Sequence, residues 1–389
     1  MISIELVKGE VVMKVLIVGA GGYGRLYVQL MLENKDPDLV FEGVVEKYFN
    51  TCEMREQILA ASIPVYATME QFYAEHSADL VVIATPPYLH KEQSILALKN
   101  GSYVLCEKPV APTVDEAKEM LLAEKTYEKF IAIGYQWSYS DAICSLKKDI
   151  LSGKLGKAKA FKTLISWPRD KGYYARGGGW GGRISKDGIT ILDSIASNAC
   201  AHYIHNMIFI LGESMRVSAT PASIVAEVYR ANKIENFDTC TMKMQMLCGA
   251  ELLFVASHAA ESTIDPKFEY TFENAVVTYP QGDESKIVAR FSDGSVVDYG
   301  DPFQDIMKKF HDVVSAIKSG KTPVCTVETA MIHTGIIRDI YEKFEIVNFP
   351  EGMVDDDDEN RVCVKGLLEG LCEAYEKEVM LSETKLFKN

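Results

Sequence analysis

Between residues 13 and 135 the chain alternates short, near-continuous apolar stretches with segments whose apolar residues recur every three or four positions. The stretches at 14–18, 39–46, 80–84, 103–106 and 131–135 predict buried strands. The segments between them predict amphipathic helices, the first marked by Leu26, Leu30 and Met31. Strands apolar on both faces and joined by helices predict an α/β fold, a doubly wound parallel sheet covered on both sides.

Past residue 136 the pattern changes. A helix at 141–151 ends at Ser152-Gly153, a strand follows at 158–166, and the glycine- and aromatic-rich stretch 167–188 has no period and predicts a long loop. A helical pattern resumes over 195–211. The period then becomes two: Cys240, Met242, Met244 and Met246 alternate with Thr241, Lys243 and Gln245, and Phe268, Tyr270 and Phe272 with Lys267, Glu269 and Thr271. Such segments predict half-buried antiparallel strands, with the methionines in a sheet core or a subunit interface. Asp293-Gly294 predicts a hairpin between 287–291 and 295–299. Asp301-Pro302 is expected to open a helix with Phe303, Ile306, Met307 and Phe310 on its apolar face, stopped by Ser319-Gly320, before a last long helix at 326–344. The second half is thus α+β, built on an open, mainly antiparallel sheet.

Composition narrows the class. Net charge is −14 over 389 residues and no basic cluster interrupts it, so neither a nucleic acid nor an anionic membrane is an expected partner. No apolar run reaches the ~20 residues that span a bilayer. The acidic run 355–359 reads as a solvated loop ahead of a helix marked by Leu367, Leu371 and Tyr375. Nine cysteines, without a C-x-x-C pair, read as small buried hydrophobes in a reducing compartment, and a cytoplasmic location is expected.

The first apolar stretch runs directly into Gly19-x-Gly21-x-x-Gly24, the dinucleotide-binding fingerprint. Gly19 permits the tight turn, Gly21 lets backbone approach a pyrophosphate, and Gly24 lets the helix pack on the strand, with Gly22 and Tyr23 completing the turn at a helix N-terminus that offers free N–H groups. Glu46, 22 residues beyond Gly24, is placed to accept hydrogen bonds from both ribose hydroxyls, which favours NAD. Lys47 beside it tolerates a 2′-phosphate, so NADP stays open. The expected organisation is an N-terminal extension at 1–12, a dinucleotide-binding Rossmann domain at 13–136, and an α+β domain for substrate binding and oligomerisation at 137–389. Met13-Lys14-Val15 begins the fold, and Lys8-Gly9-Glu10 reads as a translated ribosome-binding sequence, so Met13 is the expected start.

Two further strand ends face the ligand side of such a sheet: Thr85-Pro86-Pro87-Tyr88-Leu89-His90 and Glu107-Lys108-Pro109. With the glycine turn, Gly153-x-x-Gly156-Lys157 and a helix ending in Leu211-Gly212, they make nearly the whole chain resemble the glucose-fructose oxidoreductase, inositol dehydrogenase and MocA family of nicotinamide-dependent oxidoreductases. That resemblance implies hydride transfer between NAD(P) and a secondary hydroxyl of a sugar, cyclitol or sugar acid, and the open sheet face with its apolar alternation suggests a homo-oligomer. The resemblance also implies cofactor contacts at Thr85, Pro86, His90 and Glu107, and a Lys108 that holds the substrate hydroxyl and relays its proton. The chemistry is reasonable for lysine: an exposed one, pKa ~10.4, is a poor base, but desolvation beside a cationic ring lowers it.

The family's second domain carries an aspartate and, four residues on, a histidine toward the substrate. In register with Leu211-Gly212 these positions are Asn198 and His202, and a following family aspartate falls on His205. The i,i+4 spacing puts Asn198 and His202 on one helix face. An asparagine orients an imidazole without stabilising its cation, so His202 is expected to be a weaker proton acceptor, with Asp193 a candidate source of the missing charge. His205 reads equally as a substrate contact and as a core histidine. His202-x-x-His205 beside Cys200 invites a metal reading, but no further ligand has suitable spacing and no metal is expected. The stretch Trp167-Pro168-Arg169-Asp170, Tyr173-Tyr174-x-Arg176 and Trp180-x-x-Arg183 offers aromatic faces and arginine forks to a polyhydroxylated substrate. Tyr174, Arg176 and Trp180 are the favoured contacts, with Gln136 and Trp137 as further candidates. Two alternatives stand beside this reading: a glycosidase using NAD for transient oxidation, and a cofactor-sensing regulatory protein without catalysis.

Overall fold

The computed structural model describes residues 12–356 and 360–388. Residues 1–11 of the expected extension and residues 357–359 of the acidic run lie outside the described residues. The chain divides into two compact units, one made of residues up to Glu107 together with Glu119–Ala132, the other of Lys108–Lys118 and everything from Ile133.

The first unit is built on six strands: β1 Met13–Val18, β2 Leu39–Val45, β3 Val65–Tyr66, β4 Leu80–Ile83, β5 Tyr103–Cys106 and β6 Ile131–Ile133. Their order is β3-β2-β1-β4-β5-β6, and the β1–β2, β1–β4, β2–β3 and β4–β5 pairs are parallel. The order reverses between β1 and β4, so the loops after these strands open at the switch point where such sheets bind ligands. β4 is buried at every position and β1 at all but one, as their unbroken apolar runs require. β3 escapes the sequence pattern because it is two half-buried residues long. The helix Gly24–Leu32 buries Gly24, Tyr27, Val28 and Met31, the i, i+3, i+4, i+7 stripe that a sheet-covering helix needs.

The second unit holds a nine-stranded sheet in the order Val296–Gly300, Ile287–Phe291, Ala275–Tyr279, Ile264–Phe272, Ala158–Ser166, Glu251–Ser257, Thr239–Met246, Pro221–Arg230, Ile346–Asn348. It is antiparallel except where Glu251–Ser257 meets Ala158–Ser166 and where Pro221–Arg230 meets Ile346–Asn348. One face takes Met242, Met244 and Met246 into a core with Ile204, Met207 and Ile208 of the helix Ala201–Ile210 and Ile336, Ile337 and Ile340 of the helix Val327–Lys343. Burial of each such side chain stabilises by ~1.5–3 kcal/mol. The methionine stripe is therefore sheet core. The other face, expected to be open, is partly covered by the chain's own C-terminal helix Leu367–Lys377, whose Leu367, Leu371 and Tyr375 pack on Leu164, Leu253, Val255 and Tyr229.

Three expected elements differ. The stretch 167–188 is not a structureless loop: it contains the helix Lys171–Gly179, with the Asp170 side chain accepting from the Tyr173 N–H at 2.6 Å, and the hairpin Ser185–Lys186/Ile189–Thr190. A cap rather than an apolar period starts that helix. The helix expected over 195–211 is a π-helical turn, Ile195–Ala199, and a separate α-helix from Ala201, parted at Cys200, so Asn198 and His202 do not share one regular helix. The helix expected from Pro302 begins at Lys308, because Asp301 and Asp305 accept from the N–H groups of Phe303 (2.8 Å) and Met307 (2.9 Å) in local turns. It ends as expected at Gly320, whose φ of +63° is left-handed. Of the nine cysteines, all free, only Cys106, Cys200, Cys240 and Cys325 are buried.

Candidate active site

In the first unit the turn after β1 is shaped by what its glycines lack. Gly19 sits at φ +87°, and its N–H donates to the Val45 carbonyl at 2.9 Å. A Cβ at Gly24 would lie 1.9 Å from the Gly19 carbonyl oxygen, so the helix meets the turn at a distance only glycine allows. A Cβ at Gly21 would meet nothing within 4 Å. No packing of the protein itself calls for glycine there. The open space beside Gly21 fits the pyrophosphate that the fingerprint anticipates.

Glu46, at the end of β2, is half-buried and bridges two loops, its carboxylate accepting from the Ala20 N–H and the Tyr48 N–H, each at 2.9 Å. It opens onto a cleft of about 340 Å³ lined also by Lys47, Tyr48, Phe49 and Tyr66. Lys47 is exposed, with its ammonium 5.6 Å from the Tyr48 ring centre. After β4, the Thr85 hydroxyl donates to the Gln93 amide oxygen at 2.5 Å and the buried His90 ring pairs with the Thr85 carbonyl at 2.9 Å, pinning the turn that carries Pro86. His90 thus acts on this turn from inside. Glu107 is 7% exposed and accepts from the Tyr27 hydroxyl at 2.6 Å, tying the end of β5 to the helix of the glycine turn. Tyr27 reads in sequence only as one more apolar position. Tyr23 is exposed at the helix start.

In the second unit the Lys108 ammonium donates to both the backbone carbonyl and the side-chain Oδ1 of Asn198, each at 2.8 Å. The Asn198 Nδ2 donates to Asp193 Oδ1 at 2.7 Å. The other Asp193 oxygen accepts from the Gly182 N–H (2.8 Å) and from Arg176 Nη2 (3.3 Å). Asp193 is 6% exposed, so its carboxyl group is buried with three donors around it, the arrangement that makes such burial tolerable. The amide also sets a direction: because its nitrogen faces Asp193, its oxygen must face Lys108. The missing family carboxylate is therefore present one side chain further out.

His202 lies beside this group with Nδ1 buried and unpartnered, and its pKa is held well below the ordinary value by burial and by the Lys108 ammonium, so the ring is neutral. His205 is a core residue: it stacks on Tyr135 at 3.9 Å between ring centres, and its Nε2 pairs with the Ser138 hydroxyl at 3.0 Å. It does not face a ligand, which corrects the substrate-contact reading. Tyr135, which the sequence marks only as a strand end, also pairs through its hydroxyl with His333 Nδ1 at 3.0 Å. Trp137 is likewise core, 2% exposed among Tyr203, Phe268, Tyr279 and Phe303, while Gln136 begins the short helix Gln136–Tyr139. Arg176 is stacked between the rings of Tyr173 (3.7 Å) and Trp180 (4.5 Å), and the Tyr174 hydroxyl is buried without a partner. Among the described residues no group of three or more His, Cys, Asp or Glu side chains is placed to hold a metal ion.

Residues 13–135 match the model of an oxidoreductase family with an NAD-binding Rossmann fold. Over this stretch the chain is similar to the glucose-fructose oxidoreductase, inositol dehydrogenase and MocA family. Among curated proteins it is similar to a 1,5-anhydro-D-fructose reductase of Ensifer adhaerens, 28% identical over 33% of this chain and 39% of the relative. It is also similar to a levoglucosan dehydrogenase of Pseudarthrobacter phenanthrenivorans, 30% identical over 38% of this chain and 37% of the relative. The matched stretch thus spans well under half the length of these relatives. The fold extends further than the sequence match: the WlbA dehydrogenase of Bordetella pertussis, solved with NADH and UDP-GlcNAcA, superposes with a TM-score of 0.69 at 18% identity over 85% of this chain and 95% of that one.

Proposed function

We propose that this chain is an NAD(P)-dependent dehydrogenase that moves a hydride between the nicotinamide and a secondary hydroxyl of a sugar, cyclitol or sugar acid. The observation that carries the reading is the Lys108 ammonium held on two neutral oxygens of Asn198, in a family whose members act with a nicotinamide cofactor. The anhydro-sugar relatives named above point to the same substrate chemistry. Gly19, Gly21, Gly22, Tyr23 and Gly24 would hold the pyrophosphate, Glu46 and Lys47 the adenosine ribose, and Thr85, Pro86, His90 and Glu107 the remainder of the cofactor. When bound, the nicotinamide supplies the hydride acceptor. Lys108 holds the substrate hydroxyl and takes its proton, Asn198 sets the direction of the lysine, and neutral His202 offers a second acceptor. Gln136, Tyr174, Arg176 and Trp180 are the substrate-side groups, while Asp193 acts from behind Asn198.

The chain works as a homo-oligomer in the cytoplasm. Supporting this are nine free cysteines and the exposed valines Val225 (55%), Val296 (53%) and Val347 (49%) on strands of the large sheet. Light scattering on the purified protein reads the oligomeric state. The activity is tested by following NADH formation over a panel of polyols, sugars and sugar acids with the wild type and Lys108→Ala. Turnover lost in the variant, with NADH binding retained, is expected; undiminished turnover would overturn the assignment of Lys108.

A further inference from the structure

Arg169 is a half-buried cation for which no described residue supplies an anion. Its guanidinium lies between two aromatic rings, 5.6 Å from the centre of Trp167 and 4.8 Å from that of Tyr173. Its Nε is buried and makes no hydrogen bond. The backbone under it is held firmly: the Arg169 N–H donates to the His258 carbonyl at 3.0 Å, and His258 Nδ1 pairs with the Trp167 carbonyl at 2.8 Å. Other half-buried arginines of this unit end on acceptors. Arg176 reaches Asp193 at 3.3 Å, and Arg361 donates to the Glu261 carbonyl at 3.1 Å.

Tyr173, Tyr174, Cys200 and His258 all feel Arg169, and none of these four is anionic at neutral pH. Burial pushes the Tyr173 hydroxyl and the Cys200 thiol up to about 12, raises Tyr174 as well, and pulls His258 down to about 3. A charged group's N–H withdrawn from water, as the Arg169 Nε is, normally has a partner, because its lost hydration must be replaced. The Cys200 thiol also feels Lys108, which places Arg169 and the proposed hydroxyl-binding lysine around one buried group.

We infer that Arg169 is the specificity residue for an oxyanion carried by the substrate, a carboxylate or a phosphate, gripped by the guanidinium fork between Trp167 and Tyr173. The inference rests on the reading of this site as one for a polyhydroxylated substrate and narrows it to anionic members of that class. The two neighbouring rings and the firmly held backbone limit the fork's freedom, so less is lost when a planar or tetrahedral oxyanion pairs with it. Arg176, a few ångströms from the same Tyr173 ring, is already compensated by Asp193 and does not compete for this role.

The test uses matched triplets: glucose, glucuronate and glucose 6-phosphate, the galactose equivalents, and myo-inositol with its monophosphate. Binding is read without cofactor by the fluorescence of the tryptophans, and NADH formation is followed separately. At least one acid or phosphate should bind more tightly than its neutral counterpart, and Arg169→Gln should remove that preference by about 10- to 100-fold while leaving the neutral sugars unchanged. Arg169→Lys, which keeps the charge but not the fork, should keep only part of it. If no anionic member exceeds its neutral partner, or if Arg169→Gln weakens both alike, the inference falls. Should Arg169→Gln not fold, the wild-type triplets and Arg169→Lys decide. Anion preference without NADH formation on any probe would instead refute the proposed activity, and NADH formation on the anionic probes at equal rates in wild type and Arg169→Gln would refute only the role of Arg169.

Discussion

Two alanine substitutions three residues apart should do opposite things. At Gly21 an added methyl meets no atom within 4 Å, and the backbone is not left-handed, so the folded state loses nothing. The unfolded chain loses freedom, and Gly21→Ala should leave stability unchanged or raise it by ~0.4–1 kcal/mol. The methyl would nevertheless occupy the space assigned to the pyrophosphate, and NADH binding should weaken by roughly 30- to 100-fold, ~2–3 kcal/mol. At Gly24 the methyl would lie 1.9 Å from the Gly19 carbonyl oxygen and 2.9 Å from its carbon. Both are backbone atoms that cannot step aside singly. The helix must move off the turn, at a cost of ~3 kcal/mol or more. Urea unfolding read by tryptophan fluorescence measures the first quantity, and NADH fluorescence titration the second. Gly21→Ala binding NADH within twofold of wild type, or destabilised as much as Gly24→Ala, would refute the division of labour between these glycines.

Three further predictions concern buried polar groups. Asp193→Asn removes the acceptor that orients the Asn198 amide; turnover should fall about 10- to 100-fold with NADH binding intact, and adding Asn198→Asp should recover part of it. No recovery, with NADH binding lost as well, would show that Asp193 serves only the fold. Acid should unfold the second unit. Burial holds His333 at about 4, His258 at about 3, and His202 and His205 well below the ordinary range. Their folded values are depressed, so the unfolded chain takes up protons first: stability is full above ~6.5 and is lost as pH falls, by ~1.4 kcal/mol per pH unit for each histidine. Urea midpoints at pH 7.5, 6 and 5 test this, and a flat profile would contradict it. Tyr27→Phe takes a donor at 2.6 Å from the buried Glu107 carboxylate and should cost ~1–3 kcal/mol, measured by thermal or urea unfolding. A change below a few tenths would mean that the bond contributes little.

What could be read from the chain itself is what depends on neighbours in sequence. The alternation of apolar runs with three-to-four-residue periods is a local consequence of strands buried on both faces and helices buried on one, and it located β1, β2, β4, β5 and β6 to within about two residues. Gly19, Gly21 and Gly24 were legible because a tight turn, a close approach and a close packing each demand a missing Cβ at a set spacing. The helix Lys171–Gly179 was not, since its apolar residues follow no period and a single capping carboxylate starts it.

Nor was the chemistry of the second unit. Lys108 and Asn198 are 90 residues apart, and only folding brings the ammonium to the amide and turns that amide over by giving its nitrogen to Asp193. The sequence by itself determined the layered sheet, the turn that admits a dinucleotide and the lysine after Glu107. Tertiary structure alone decided that His205 and Trp137 go to the core, that Asp193 stands behind Asn198, and that Arg169 has no anion among the described residues. Charge and burial are sums over everything nearby in space, whereas periodicity is a property of the chain.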